Sequence, residues 1–518
     1  MSLARDVTTV GSGTLMSRLL AFVRDAGIAA LLGTGAFSEA FFAVLQVVNF
    51  FRRLLAEGAL NSAFVPIWLR LRSGENGIVN ADKFTKRALL TIGCITGAVT
   101  LLVIVLAPFV VAAIAPGFEE GRRSLATFLL YIAAPYIFLA GLVAVMAAAL
   151  NAEGRVIAVT VSTIAFNLVM VLSLAFLVGE IEGFVTSVWL AFAIVVAGLT
   201  QLVITAATWL STGKRWQRVS VHVPDQTRQL FARAVPGLIA AGIPQLKLIA
   251  AAAIVSSSQA AVSWLYYANR LYELPLGVAS IAIAAVIVPR IAASLRDGQA
   301  DDFAAVQSRA FEIALGLALP AATGFALLAG PIAGGLFEHG AFGPHDTAAV
   351  AAALAAICAG LPGHVLEKVF GAVSFAHGDT HTPMVAALSG LAAAIAGGGL
   401  LFPHFGHVGV AAAIAISGWV GAALLGSILY GRGWLRLDQS GWRRLPRIVL
   451  ATVVMGAVVG AALVASHKLL PALASSSLGR LALLTVLVAL GVAVDLAALQ
   501  ILGVAKLKDL VSAARRRG

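Results

Sequence analysis

Two adjacent arginines and a glutamate interrupt the apolar run "NFFRRLLAEGALNSAFVP" at Asn49 to Pro66. A second run, "YANRLYELPLGV" at Tyr267 to Val278, carries Arg270 and Glu273, and the first apolar block carries Arg18, Arg24 and Asp25. A guanidinium is planar and presents paired N–H groups that match phosphate and carboxylate oxygens. Guanidinium groups set into apolar segments therefore suit an anion, with a phosphorylated or pyrophosphorylated headgroup as the natural ligand class.

Helical phase sorts these charges. Asn49, Arg53 and Glu57 recur at i, i+4 and i+8 on one face, while Arg52 points about 100° away. Arg53 thus reads as neutralised by Glu57, and Arg52 as an unpaired charge facing a cavity. Tyr266, Arg270 and Glu273 share a face, where Arg270 either pairs with Glu273 or serves a ligand. Arg24 and Asp25 are adjacent and diverge. Glu39, near the outer end of the second helix, reads equally as a solvated residue, and Arg18 equally as one that snorkels to the surface. Counted at 1.5 Å per residue, Arg52 lies about 27 Å from Arg70 and Arg24 about 29 Å from Arg5, too deep for snorkelling. Arg270 lies about 17 Å in from Gln259 on the same count. Lys247, Lys368 and Asp495 complete the charges set in apolar blocks, the last two as isolated structural or partly snorkelled groups.

The elements that hold such charges are membrane helices. Of 518 residues, 60% are hydrophobic and 12% charged, outside the range of soluble domains. Apolar blocks of about 20 residues recur, each long enough to cross a hydrocarbon core of roughly 30 Å. The blocks are continuous and do not alternate, which excludes a barrel. The predicted fold is an all-α polytopic membrane protein with fourteen spans, centred near residues 21, 53, 99, 137, 167, 198, 242, 275, 319, 360, 392, 419, 456 and 490. No small-residue cleavage site stands out behind the first block, which reads as a retained helix. Cys94 and Cys358 lie in separate apolar blocks and read as small core residues.

The formal charge of +12 follows topology. With both termini in the cytoplasm, 25 of the 36 lysines and arginines fall on the cytoplasmic side. Only Arg122, Arg123, Lys468 and Arg480 fall outside, as the positive-inside rule requires. The basic excess meets anionic lipid headgroups and not nucleic acid.

An internal repeat organises the chain at an offset of about 223 residues. "AFVPIW" at Ala63 to Trp68 matches "VIVPRI" at Val286 to Ile291, and "LAPF" at Leu106 to Phe109 matches "AGPI" at Ala329 to Ile332. "NAEG" at Asn151 to Gly154 falls opposite "FAHG" at Phe375 to Gly378, and Arg24 opposite Lys247. The expected division is an N-lobe of six spans (1–213), a basic cytoplasmic linker (214–226), a C-lobe of six spans (227–431), and two further spans with a basic tail (432–518). Six spans return the chain to its starting side, so the repeats are parallel, and a central site would lie in the cleft between them.

Motifs for other chemistry are missing from the sequence. There is no GxxxxGK[ST], HExxH or GxSxG, and no cofactor motif. The sequence leaves open coupling to an ion or to the membrane potential.

Together "NFFRRLLAEGALNSAFVP", "YANRLYELPLGV", "APGF" at Ala115 to Phe118 and "GDTHTP" at Gly378 to Pro383 resemble the signatures of the bacterial MurJ/MviN lipid II flippases. These belong to the multidrug, oligosaccharidyl-lipid and polysaccharide exporter superfamily. The resemblance implies a fourteen-helix inner-membrane transporter, not an enzyme, that moves lipid II, the undecaprenyl-pyrophosphate-linked disaccharide pentapeptide, to the outer leaflet by alternating access. Its partners would be lipid II, membrane lipids and cell-wall synthesis proteins. The family's cavity arginines match Arg18, Arg24, Arg52 and Arg270, with Asp25, Glu39, Arg53, Glu57 and Glu273 as charge partners. Glu39 stands where Asp is usual, and the last two helices correspond to a lipid-facing groove. Departures are Leu60 and Asn61, where Phe and Ser are common, and His377 and His381, which replace basic residues. Two rival expectations are a flippase for another polyprenyl-linked saccharide and a drug-cation exporter. The second would want acidic or aromatic cavity residues in place of arginines.

Overall fold

The protein is described by a computed structural model covering residues 3–56, 59–179, 182–211, 225–296, 300–469 and 477–504. The described residues are helical with connecting turns and contain no strand. The chain divides into two compact units, one of residues 1–263 with 339–342, the other of 264–338 with 343–518.

The first unit contains α1 (Leu3–Leu32), α2 (Ala36–Ala56), α3 (Ala59–Arg72), α4 (Gly77–Val105), α5 (Ala107–Ile114), α6 (Glu120–Ala133), α7 (Pro135–Ala152), α8 (Val156–Phe176), α9 (Gly183–Leu210) and α10 (Asp225–Val255). Helix α1 lies along α8, α8 along α9, and α2 packs on α6, α7 and α10. A buried cluster of Phe64, Trp68, Phe84, Leu89, Val145 and Trp209 locks α3, α4, α7 and α9 together, with Phe64 and Phe84 rings 4.9 Å apart. Such interlocking fixes the backbone from which charged side chains project.

The second unit takes nearly all of α11 (Ala261–Ala282), then α12 (Val288–Arg296), α13 (Ala300–Leu327), α14 (Ala329–Phe337), α15 (Pro344–Cys358), α16 (Leu361–Ala376), α17 (His381–Gly431), α18 (Gln439–Leu469) and α19 (Ser477–Ile501). Helix α16 packs on α13 and α17, and α18 on α13 and α19. Pro275 lies inside α11, where its nitrogen, having no hydrogen, leaves one carbonyl of the preceding turn without its helical donor. A π-helical turn at Ile283–Ile287 joins α11 to α12.

Thirteen of the fourteen predicted centres fall inside helices, and the one at 360 falls on the turn between α15 and α16. Nine helices among the described residues are long and apolar enough to cross a membrane. The centres at 392 and 419 share one of them, α17, whose two arms break at Gly406, where φ is 55° and ψ −141°. The helices at 21, 53, 242 and 275 are not among the nine. They are α1, the α2–α3 pair, α10 and α11, the helices that hold Arg18, Arg24, Arg52, Arg53, Lys247 and Arg270. Polar load separates α1, α2 and α11 from the nine, whereas the described apolar part of α10, Gly242–Val255, and the 14-residue α3 are shorter than a crossing. Cys358 is buried as expected, whereas Cys94 is exposed, so only one cysteine belongs to the core.

The "GDTHTP" stretch acts as a cap. Asp379 accepts from the His381 and Thr382 amides at 3.0 Å and from the Thr382 hydroxyl at 2.5 Å, satisfying the first turn of α17. Arg432, past the other end of α17, adds an ion pair at 2.5 Å. Thr382's donors, followed by Arg432, hold the carboxyl well below the usual carboxylate range. His377 stacks on Trp434 at 4.1 Å.

Within the first unit, residues 339–342 lie against the end of α1. The Ala341 amide donates to the Ala30 carbonyl at 2.8 Å. Gly340 has φ of +60°, and a Cβ there would strike the Ala30 carbonyl oxygen; Gly33 has φ of +59°, and a Cβ there would sit 2.6 Å from the Ala341 oxygen. Left-handed backbone costs an L-residue about 1–2 kcal/mol, and the collision adds to it. Gly340→Ala is therefore expected to lower stability by at least about 2 kcal/mol, read as a fall in the thermal unfolding midpoint in detergent. An unchanged midpoint would show that this contact contributes nothing.

Candidate functional site

Arg24 occupies the middle of α1 and is 8% exposed beside Asp25, which is fully buried. Its Nε and Nη2 donate to Asp25 Oδ1 at 3.0 and 2.7 Å, and its Nη1 donates to Asn167 Oδ1 at 3.2 Å. Asn167, on α8, donates in turn to the Ser17 carbonyl and hydroxyl at 3.2 and 3.1 Å. This corrects the expectation that Arg24 and Asp25 diverge. Their Cβ atoms do point apart by about 100°, but the arginine stem is long enough to fold its guanidinium back onto the neighbouring carboxylate. Burial favours that return, because an unpaired charge in an apolar bundle is costly. Three of the five guanidinium N–H groups are engaged this way, which orients the plane and leaves two donors for an anion. Arg18, nearly two turns earlier on α1, is exposed.

Helix α2 carries a charge near each end. Glu39, in its first turn, is 1% exposed and accepts from Arg122 Nη1 at 2.8 Å. It also accepts from the Val262 amide at 3.3 Å, so it caps the start of α11. Arg122, from α6, is 7% exposed and lies over the Phe118 ring at 5.1 Å. Ser38 and Ser263 share a hydrogen bond of 3.1 Å beside this pair. The solvated alternative for Glu39 is thereby excluded. Sequence reasoning placed Arg122 in an outer loop and missed its role. The available signal was its position as one of four basic residues assigned outside, facing an acid at the outer end of α2.

Arg52 is half-buried, and its Nε donates to Asn49 Oδ1 one turn earlier, at 3.3 Å. It is therefore not the unpaired charge that phase alone suggested. Its partner is an uncharged amide at i−3, which shares the turn with Arg52 but adds no charge to mark the pairing. Arg53 is half-buried as well. Glu57, its expected partner, lies outside the described residues. In the same unit Lys247, on α10, is buried.

In the second unit, Arg270 Nη1 pairs with Glu273 Oε2 at 3.1 Å, each side chain being 24% exposed. Asn269 Nδ2 supports the same carboxylate at 3.4 Å. Of the two readings of Arg270, the pairing with Glu273 forms, and the partial exposure of both side chains leaves the group within reach of a ligand. One residue before Glu273, the buried Tyr272 hydroxyl shares a hydrogen bond of 2.8 Å with His364 Nδ1 and anchors α11 to α16. Asp495 is buried on α19, and its Oδ1 has no hydrogen-bond partner among the described residues. Lys368 is exposed. No cluster of metal-binding side chains occurs among the described residues.

The arrangement repeats one theme on several helices: a guanidinium in an apolar segment, oriented by an adjacent carboxylate or amide. The exposed Arg18 and the half-buried Arg52 and Arg270 present guanidinium N–H groups whose geometry matches an anion's oxygens. A family model described as "Lipid II flippase MurJ" matches residues 28–478. A probable lipid II flippase MurJ of Rhizobium meliloti is 36% identical over 467 residues, spanning 89% of this chain and 86% of that one. The corresponding protein of Vibrio cholerae is 32% identical over 516 residues, 97% of each chain. Among solved structures, "Lipid II flippase MurJ, inward closed conformation" superposes with a TM-score of 0.78 at 22% identity, covering 97% of this chain and 99% of that one. An inward-facing multidrug resistance transporter of the MATE family gives 0.64 at 16% identity, covering 80% and 94%. At these identities the structural likenesses establish the fold.

Proposed function

We propose, for a chain that belongs to the lipid II flippase MurJ family, that it carries lipid II from the inner to the outer leaflet of the bacterial inner membrane by alternating access. It is a multi-pass membrane transporter and not an enzyme. The observation that carries the reading is the Arg24 cluster: a guanidinium held rigid by Asp25 and Asn167 in the middle of a membrane helix. A role confined to stability would be served as well by apolar packing of similar volume. A pyrophosphate-bearing substrate supplies the reason for keeping a charge there.

The physics of the cargo supports the assignment. Two phosphates, two sugars and a peptide cannot be solvated by hydrocarbon, so the headgroup needs a polar route while its polyprenyl tail stays in lipid. Arg18, Arg24, Arg52 and Arg270 are the proposed pyrophosphate contacts, with Asp25, Glu39, Arg53, Glu57 and Glu273 setting their orientation and charge. Fourteen crossings, with the charged helices α1, α2–α3, α10 and α11 counted among them, would put both termini on one side, and the positive-inside distribution is the reason for assigning that side to the cytoplasm. The membrane potential biases transfer of a charge by about 2.3 kcal/mol per 100 mV, a sufficient source of direction for release.

The test is reconstitution in liposomes with a headgroup-labelled lipid II, scored by accessibility to an external quencher. Arg52→Ala and Arg270→Ala are each expected to slow flipping at least tenfold, the loss of one charge-assisted contact of about 1.5–3 kcal/mol. Parent-like rates in both variants would remove these two arginines from the pathway. Equal transport of a different polyprenyl-linked saccharide by the parent protein would overturn the assigned substrate.

A further inference from the structure

In the second unit, a cavity of about 190 Å³ opens between the π-helical turn with α12 on one side and α13 on the other. Its lining divides sharply by chemistry. Ile287, Ala305, Val306, Ala310 and Ile313 form an apolar floor, and Arg290 and Arg309 stand at its rim. The cavity shares no residue with the proposed lipid II contacts.

Three features point to a ligand. The first is charge. Arg309 and Arg444 both pair with Glu312, at 2.8 and 3.1 Å, while Arg290 is exposed and makes no ion pair among the described residues. Among the described side chains, Glu312 thus serves two guanidinium groups, and Arg290 adds a third to the cavity lining. The second is shape, since an apolar floor under a cationic rim accommodates an amphiphile. A free anion would use the rim and leave the floor wet. The third is the π turn, which carries Ile287 into the cavity wall; an i→i+5 turn costs helix regularity and tends to persist where a site requires it.

We propose that this cavity binds an anionic phospholipid of the inner leaflet, its phosphate held by Arg290 and Arg309 and the start of an acyl chain laid on the Ile287–Ala310–Ile313 floor. The placement uses the topology proposed above, in which this end of α12 and α13 is cytoplasmic. There the leaflet carries anionic headgroups, and basic pockets between helices recognise them. Arginine's fork matches a phosphate better than a lysine would.

The experiment measures lipid bound to the purified full-length protein in neutral detergent by native mass spectrometry. Phosphatidylglycerol, phosphatidylcholine and inorganic phosphate serve as separate probes. The parent is expected to retain phosphatidylglycerol in preference to phosphatidylcholine. Arg290→Gln with Arg309→Gln should weaken that binding at least tenfold, and Glu312 keeps Arg444 as its partner in this variant. Ala305→Trp, at an exposed position, should block the floor with every charge intact and reduce lipid binding to a similar degree. Removal of two remote exposed charges, Arg155→Gln with Arg228→Gln, should leave it unchanged. No preference for phosphatidylglycerol in the parent, or parent-like binding in the Arg290/Arg309 variant, would overturn the proposal. So would a loss equal to that of the remote pair. Retention of inorganic phosphate with equal affinity, indifferent to Ala305→Trp, would replace the lipid by a free anion and overturn the lipid assignment.

Discussion

Arg24→Ala is expected to abolish lipid II flipping and to cost about 3–5 kcal/mol of stability, the usual penalty for stranding one member of a buried ion pair. The size follows from Asp25, which is fully buried and loses the two guanidinium donors it accepts from Arg24. Asn167 loses its guanidinium donor as well, though its own bonds to Ser17 keep part of the α1–α8 contact. Function and stability separate in a second variant, Arg24→Leu with Asp25→Leu. Removing both charges restores most of the stability, because apolar packing of similar volume replaces a buried pair at little cost. Flipping stays absent. The measurements are thermal unfolding in detergent and headgroup accessibility in liposomes. Recovery of flipping by the double leucine variant would reduce Arg24 to a structural role and remove the main support for the anion pathway.

Arg122→Ala produces the second large effect, again about 3–5 kcal/mol, since Glu39 is then buried without its cation. Glu39→Ala is expected to cost more than Arg122→Ala, because it also removes the acceptor for the Val262 amide at the start of α11. A lost cap is worth about 1 kcal/mol. The two sites touch, so their effects do not add. A double-mutant cycle should give a coupling of about 1–3 kcal/mol. Glu39→Asp refines the test. With one methylene fewer, the carboxylate cannot keep both the Arg122 and the Val262 contacts, and Arg122→Ala should cost less in that background. Additive effects in the cycle would mean that the two residues do not act as a pair.

The charged residues were legible in the sequence because a cation in an apolar run is conspicuous at any register. Arg24, Arg52 and Arg270 could be named, and the depth of each estimated, from helical rise alone. Their partners were harder to read. Asn167 is 143 residues from Arg24, and helical periodicity fixes which face a residue shares, not which distant helix meets that face. Asn49 lies one turn from Arg52, but an uncharged amide does not stand out among charges, although its oxygen orients a guanidinium well. Arg122 was hidden by its apparent place in a loop; the structure puts it in the first turn of α6, where it turns inward over Phe118. Helix positions were readable from hydropathy, including the two arms of α17 on either side of Gly406, except at 360, where one apolar run covers the turn between α15 and α16. The latch at Gly33 and Gly340 left no trace that composition could expose, because it depends on backbone sign and on a contact between remote turns.

One spacing in the first unit has a history written into it. Glu39 and Val262 are joined by a hydrogen bond across 223 residues, the offset of the internal repeat, and Ser38 meets Ser263 across 225. Under the duplication proposed from the sequence, positions 39 and 262 descend from a single residue of a half-length ancestor. A residue touches its own counterpart on a two-fold axis relating two copies, so under that duplication this contact would descend from a self-contact between identical halves. An acid there would have faced an identical acid across the axis, and the two would have repelled each other. Joining such copies in one chain would remove the requirement for identity, consistent with the glutamate on one side, the valine amide on the other, and Arg122 balancing the charge.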